Sequence, residues 1–365
     1  MDSPSVRVVS ATALTTRECE RWTELQEADS TLISPFFSPE FTSCVAAVHR
    51  DTLVAVLEAE GRQVGFLPFQ RSGRTGFPVG GRLSDYQGAI LERGADLNPV
   101  ALARACNLRE WQFDHLLASQ EAYKPFHRSL SRSPYLDLSH GFEAYTAERR
   151  RTGSRLVVDL DRRARRLARE VGPLRFVAMA DDPEVLRQVL RWKSDQYIRT
   201  NGIDLFAIGP NLELVERVHK ARGPRFAGIL SALYAGDRLI AGHIGMRSHR
   251  AWHWWFPAYD RDVAVYSPGA LLLLKIAEAA PGLGITTLDL GRGEAPYKLR
   301  FMSGAVGLAE GFVPATRLIR LQRDVQYAGH ACIRKATHEG LLGPNAPLGS
   351  TLRMAGRGIR ARLPT

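Results

Sequence analysis

The sequence holds only four cysteines in 365 residues, at positions 19, 44, 106 and 332, and none form a C-x-x-C pair. That spacing offers no thioredoxin-like redox motif. It points to small buried thiols in a reducing compartment. No apolar run approaches the ~20 residues of a membrane-spanning helix; Ala270 to Leu274, as long as any, stops at Lys275. Met1 to Ser10 has neither the basic flank nor the apolar core of a signal peptide. The expected location is the cytoplasm. The ten histidines show no H-x-x-x-H spacing on a helix and have no cysteine partners, so no metal is expected. The basic clusters also lack the interleaved aromatics of a single-strand nucleic-acid surface.

What is present is ordinary for a globular chain: 45% hydrophobic and 24% charged residues, over a length that suits two domains. The net charge is +11. Gly311 to Thr365 carries nine Lys/Arg against two Asp/Glu, and a second basic cluster runs from Arg149 to Arg169. These clusters are either solvated helix faces or an attraction for something anionic: CoA phosphates, an acidic glycan, a nucleotide-sugar, tRNA or a membrane surface.

The pattern reads as mixed α/β. Val54–Ala59 and Gln63–Gln70 flank the turn Glu60-Gly61-Arg62 as a hairpin. Residues 142 to 170 read as helical with a break near Gly153, and Leu174–Met179 as a strand. Asp182-Pro183 starts a helix that stops at Asn201-Gly202. A meander follows, from Ile229–Ala235 through Arg238–Arg247 to Ala251–Pro257; then come a helix Leu271–Ala280, a strand Thr286–Leu290 and a short helix Tyr297–Phe301. The run V-L-E-A-E-G-R-Q-V-G-F from Val56 matches A-L-Y-A-G-D-R-L-I-A-G-H from Ala232, setting Gly65 against Gly242 at an offset of 177 residues. The same hairpin at the same relative place suggests a duplicated fold.

Four segments offer chemistry. In Y-S-P-G-A-L-L-L-L-K, a loop enters a helix at Pro268; Ser267 can cap it, and Gly269 and Ala270 let a ligand approach the backbone. A helix start of this kind suits a pyrophosphate, or is simply a capped helix that packs its leucines. In L-D-L-G-R-G-E-A-P-Y-K-L-R-F, Asp289, Arg292, Glu294, Tyr297 and Lys298 cluster at a strand's C-terminal end, where open α/β sheets bind ligands. On the helix from Pro183, Leu186, Leu190, Lys193 and Tyr197 form one stripe, so Lys193 either snorkels or lines a cleft. In W-H-W-W-F-P-A-Y-D, strict alternation puts Trp252, Trp254 and Phe256 on one face and His253 and Trp255 on the other.

These motifs, together with W-K-S-D-Q-Y-I-R-T-N-G-I-D-L-F (192–206), S-P-F-F-S-P-E-F-T (34–42), F-L-P-F (66–69) and D-Y-Q-G (85–88), resemble the CelD-type acetyltransferases. These are GNAT-superfamily proteins associated with cellulose and exopolysaccharide biosynthesis, and they are similar in architecture to Fem-type aminoacyltransferases. The resemblance spans roughly residues 30 to 315. It implies tandem GNAT-type folds: an N-terminal GNAT-like half at 1–140, a C-terminal GNAT domain at 141–315 and a basic tail at 316–365. It implies an acetyl-CoA donor held by Tyr266, Ser267, Pro268, Gly269, Ala270 and Leu271, although Tyr266 and Leu271 depart from the usual Q/R-x-x-G-x-G/A loop. Tyr297 falls near the place of the GNAT tyrosine acid, with His243 or Glu294 as base. Lys193, Gln196, Asp85, Gln87, Tyr259 and Lys298 are the expected substrate-binding residues. The acceptor would be a small molecule or glycan, and the partners polysaccharide-biosynthesis proteins. The alternatives are a Fem-like enzyme using aminoacyl-tRNA, the one reading with a nucleic-acid partner, and a non-catalytic scaffold of a polysaccharide-biosynthesis complex.

Overall fold

A computed structural model of the chain describes residues 4–338, with side chains through Tyr327. The first half runs β1 (Ser5–Ser10), α1 (Thr16–Ala28), α2 (Pro39–Ala46), β2 (Thr52–Ala59), β3 (Arg62–Ser72), β4 (Thr75–Phe77), β5 (Ile90–Leu91), α3 (Pro99–Ala105), β6 (Glu110–Leu117) and β7 (His127–Asp137). The second runs α4 (Gly141–Arg151), α5 (Leu156–Glu170), β8 (Leu174–Val177), α6 (Pro183–Arg199), α7 (Asn211–Lys220), β9 (Ala227–Ala235), β10 (Arg238–Arg247), β11 (Ala251–Tyr259), α8 (Pro268–Ala279), β12 (Thr287–Asp289), α9 (Pro296–Phe301), β13 (Gly304–Pro314) and α10 (Arg317–His338). Of the basic tail at 316–365, the part up to His338 forms α10; residues 339–365 lie outside the described residues.

Local chemistry sets several of these boundaries. Thr15 and Glu18 make a reciprocal capping box on α1. Asp182 accepts from the Glu184 N–H, and Pro183 fits the first turn of α6. The break near Gly153, where φ is 77°, separates α4 from α5.

Among the described residues, thirteen strands form one sheet in the order β1-β2-β3-β4-β6-β13-β7-β12-β11-β10-β9-β8, with β5 off this path on β3. The order is the same read from either edge. Four antiparallel strands are followed by a parallel neighbour: β6 beside β4, and β12 beside β11. The hairpins β2–β3 and β9–β10 occupy equivalent places, so the repeat read from the sequence is a repeat of structure. The two central strands cross over. β7, which ends the first half, pairs with β12 of the second, and β13 pairs with β6 of the first. β7 and β13 then pair with each other across the middle.

The core lies on both faces of this sheet. On one face Trp22, Phe37 and Phe41 of the first half share a continuous cluster with Val185, Val189 and Leu214 of the second. On the other face α5 and α8 cover the second half, with Leu160, Leu167 and Leu271–Leu274 buried, and α3 covers the first. No helix among the described residues is long and apolar enough to cross a membrane.

Candidate active site

β11 carries the defect that opens the site. Its pairing with β10 shifts between Ile244 and Met246, so Trp254 and Trp255 together oppose Gly245. A bulge of this kind re-aims side chains. His243 fills it: the imidazole stacks on Trp254 with centroids 4.5 Å apart, and its Nε2 accepts the Trp255 N–H at 3.2 Å. A Cβ at position 245 would lie 2.2 Å from the His243 ring and 2.5 Å from the His253 carbonyl, so only glycine fits there. The bulge also breaks the alternation expected from the sequence. Trp252 and Trp254 pack on one face, whereas Phe256 joins Trp255 on the other.

β11 and β12 pair only over Ala251–His253 and Thr287–Asp289, and then part. The gap is a cleft of about 550 Å³. Trp254 and Pro257 line it from β11, Gly291 and Arg292 from the turn after β12, Tyr297 and Lys298 from α9, Lys193 from α6, and Arg82, Asp85 and His115 from the first half. Both halves therefore build it.

Its floor is a chain of buried polar groups. His253, fully buried, places Nε2 2.8 Å from Asp85 Oδ2 and Nδ1 3.0 Å from Asp289 Oδ1, the latter off the line of a hydrogen bond. Burial pulls the imidazole pKa down, but Asp289 and Asp85 reverse this and hold it at about 9. Burial pushes the Asp85 carboxyl up, and His253, His115 and Lys298 more than offset it, leaving it below its ordinary value. Asp289 also accepts from the Tyr86 hydroxyl, from Ser133 at 3.2 Å and from the Gly291 N–H at 2.8 Å. Gly291 has φ 73°, and a Cβ there would meet Asp85 Oδ2 at 3.0 Å.

The D-Y-Q-G segment is thus a bracket between the halves. Asp85 reaches His253, Tyr86 reaches Asp289, and Gln87 holds a second bulge. The Gln87 Oε1 accepts the N–H of both Asp114 and His115, each at 2.9 Å, and its Nε2 donates to Asp114 Oδ1 at 2.5 Å. There Asp114 and His115 together oppose Glu310 of β13. Gln87 is buried and makes these contacts inside the fold rather than in the cleft.

Among the residues singled out in the sequence, Asp85, Lys193, Arg292, Tyr297 and Lys298 meet in the cleft. Burial, then the charge of Lys298, pulls the Lys193 amine down to about 8. Lys298 donates to the Gly291 and Arg292 carbonyls, both at 2.9 Å, and so pins the glycine-rich turn. Burial pushes the Tyr297 hydroxyl above its ordinary pKa, with Trp254 acting the other way. The Trp254 indole N–H is buried without a hydrogen-bond partner. Gln196 accepts from Lys193 at 3.2 Å, one turn from the cleft.

Other expected residues stand elsewhere. His243 is fully buried, its Nε2 is used by the Trp255 N–H, and burial followed by the His253 charge lowers its pKa to about 3; it cannot meet an acceptor. Glu294 turns outward to Arg132 at 3.4 Å. Tyr259 lies at the far end of β11, its ring 3.2 Å from where a Gly269 Cβ would be.

At that end Ser267 does not cap α8. It adopts left-handed backbone, φ 57°, and its hydroxyl accepts from Arg163 of α5. Tyr266, Pro268 and Leu271 are buried, and the Tyr266 hydroxyl donates to Glu170 at 2.6 Å. The Ala270 and Leu271 N–H groups turn back to the Ser267 carbonyl, which leaves the Gly269 N–H outside these bonds.

Of the groups in the cleft and its floor, Arg82, His115 and His253 escaped the sequence reading as site candidates. The partner of His253 is remote in sequence: Asp85 is 168 residues away. The D-Y-Q-G motif was the available signal for one end of that pair.

Residues 159–299 match the sequence profile of a family described as Acetyltransferase (GNAT) domain. Among curated proteins none matches the chain in sequence. Among solved structures, FemX is 9% identical, covering 86% of this chain and 99% of its own, with a TM-score of 0.58. The C-terminal domain of an Agrobacterium fabrum protein named as a lysylphosphatidylglycerol synthetase is 14% identical, covering 85% of this chain and 96% of its own, with a TM-score of 0.53. A tandem GNAT protein from the clavulanic acid biosynthesis pathway is 13% identical over 86% of this chain and 99% of its own, with a TM-score of 0.46. At these identities the likeness is one of fold. The profile match runs from α5 into α9 and takes in the cleft residues that the second half contributes: residues 159–299 match an acetyltransferase domain of the GNAT type, which supports an acyltransferase.

Proposed function

We propose that the chain moves an acetyl group from acetyl-CoA to a hydroxyl or amine of a sugar or polysaccharide-related acceptor, in the cleft between β11 and β12. One observation carries this reading. The bulged strand β11 has no partner on its β12 side beyond His253, and it runs from the polar cleft to the start of α8. From Trp254 to Tyr259 is roughly 17 Å at ~3.3 Å per residue, a length that an extended pantetheine arm spans. The Gly269 N–H and Arg163 stand at the phosphate end. The thioester stands at the cleft end.

There the acceptor's heteroatom attacks the thioester carbonyl carbon. The Trp254 indole walls the cleft beside Tyr297. Tyr297 gives its proton to the departing thiolate. Lys193 and Arg292 line the thioester end of the cleft as hydrogen-bond donors, and Lys298 holds the turn that shapes it.

An aminoacyl-tRNA donor is the second reading. It is favoured by the exposed arginines Arg162, Arg165 and Arg169 on α5, beside the start of α8. Calorimetry separates the two. Acetyl-CoA should bind the wild-type chain, and Gly269→Glu, which adds bulk and negative charge at the phosphate end, should abolish binding while the fold persists. Unchanged affinity in a folded Gly269→Glu chain rules out this donor path. Binding of aminoacyl-tRNA without acetyl-CoA favours the second reading.

A further inference from the structure

The sheet's symmetry places a second cleft where the first half repeats the geometry of the second. β4 and β6 pair in parallel only over Thr75–Gly76 and Glu110–Trp111, and then part, as β11 and β12 do. The opening is about 690 Å³. Phe77 and Tyr327 offer aromatic rings, Gln112 and Asn211 amides, and Asp51 and Glu310 carboxylates. Arg82 borders both clefts.

The seam between the two is the bulge held by Gln87. Asp114 lines the β4–β6 cleft and His115 lines the β11–β12 cleft. They are neighbours on a strand, where side chains ordinarily point to opposite faces. The bulge brings them together, with His115 Nδ1 2.9 Å from Asp114 Oδ1. That bond orients the ring and leaves Nε2 toward the first cleft, 3.9 Å from Asp85 Oδ1. Arg292, from the turn after β12, donates to the Asp114 carbonyl at 3.0 Å and ties the seam to the donor side.

We propose that the acceptor enters through the β4–β6 cleft and that His115, aimed by Asp114, takes its proton as the acyl group is transferred. The proposal rests on the acyl-transfer reading and adds to it the acceptor's path, its charge class and the base. Aromatic faces with amides and carboxylates suit a polyhydroxylated sugar that is neutral or carries an ammonium. The carboxylates of Asp51, Asp114 and Glu310 outnumber the one arginine in the lining, Arg82, and disfavour an acidic one. In the step, the acceptor O–H or N–H bond breaks toward His115 Nε2, and the freed lone pair bonds to the thioester carbonyl carbon. The C–S bond then breaks, CoA leaves as the thiol with the Tyr297 proton, and His115 and Tyr297 exchange protons with solvent to reset. The charged groups around His115 are Asp114 on its own strand, Asp85 from the bracket, Arg292 from the turn, and Arg82, Lys193 and Lys298 in the cleft lining.

The full-length chain is titrated with cellotetraose, glucosamine and glucuronate, and separately with acetyl-CoA. Acetyl transfer to the two uncharged or cationic sugars is followed as thiol release. The wild type should bind cellotetraose or glucosamine and not glucuronate. Asp51→Lys with Glu310→Lys should weaken that binding at least tenfold and leave acetyl-CoA affinity within twofold. His115→Gln should keep both affinities, lower transfer by ~10²–10⁴ and remove the acidic limb of the pH–rate profile. Asp114→Asn should lower transfer less and displace that limb. The proposal is overturned by a wild type that binds or acetylates neither sugar, by unchanged sugar binding in the double-lysine variant, or by full transfer in His115→Gln. Failure of acetyl-CoA to bind the wild type would instead strike the donor reading, and the sugar titrations still decide the cleft.

Discussion

Tyr297 and His253 show how one ring can serve the cleft and another the fold. Tyr297 is partly exposed at the cleft mouth, and burial keeps its hydroxyl protonated. Tyr297→Phe preserves the ring, so turnover should fall by ~10²–10⁴ with little change in acetyl-CoA affinity or melting temperature. Full turnover with a loss of about 1 kcal/mol of stability would instead make the hydroxyl a packing group. His253 has a folded-state pKa of about 9 against an ordinary 6.5. Its charge therefore stabilises the fold fully below about pH 6.5, and that contribution is lost as pH rises through 9. His253→Gln leaves Asp85 and Asp289 without their cation and should cost on the order of 3–5 kcal/mol at pH 6. The gap in melting temperature between wild type and variant should narrow from pH 6.5 to 9; a constant gap excludes a charged His253. Sequence alone made Asp85, Lys193, Tyr297 and Lys298 legible, because each sits in a motif whose residue types suit a cleft. It misassigned Gln87 and His243, since a buried amide bracing a bulge and a buried imidazole accepting a backbone N–H look the same in a sequence as groups that touch substrate.

Elements were read well where their ends carry local signals. Arg238–Arg247 matches β10 to the residue, and Asp182-Pro183 marks the start of α6. α8 begins at Pro268, where the Ser-Pro-Gly motif put the helix entry, three residues ahead of its apolar run from Leu271. Neither bulge was visible, as a bulge is a property of two strands in register and not of one. The β11 bulge can be probed directly. Gly245→Ala should lower stability by about 1–3 kcal/mol through overpacking against the His243 ring. His243→Ala should relieve part of that cost, so the double variant should be less destabilised than the sum of the two single changes. Strict additivity in thermal melts would show that the ring is not the obstacle.

At the scale of the whole chain, the hairpin repeat announced two halves, but nothing local in β7 or β13 says that each will pair with the other half's strand. The exchange makes the halves interdependent: β6 and β7 are not paired to each other, and both require β13. Residues 1–140 expressed alone, or 141–365 alone, should show no cooperative unfolding, and co-expression should restore a single transition near that of the intact chain. A fragment that melts cooperatively by itself would show that the crossover is dispensable. The same crossover fixes the order of events during synthesis. The last strand made belongs in the middle of the sheet, so a nascent chain holds the β6 and β7 edges open until Pro314 has left the ribosome, about 200 residues after Leu117. At ~5–20 residues per second that is roughly ten seconds or more with two unpaired edges exposed. The chain's vulnerability to aggregation is therefore set by how fast it is translated, and slowing the ribosome between residues 117 and 314 should cost soluble yield even when the finished protein is unchanged.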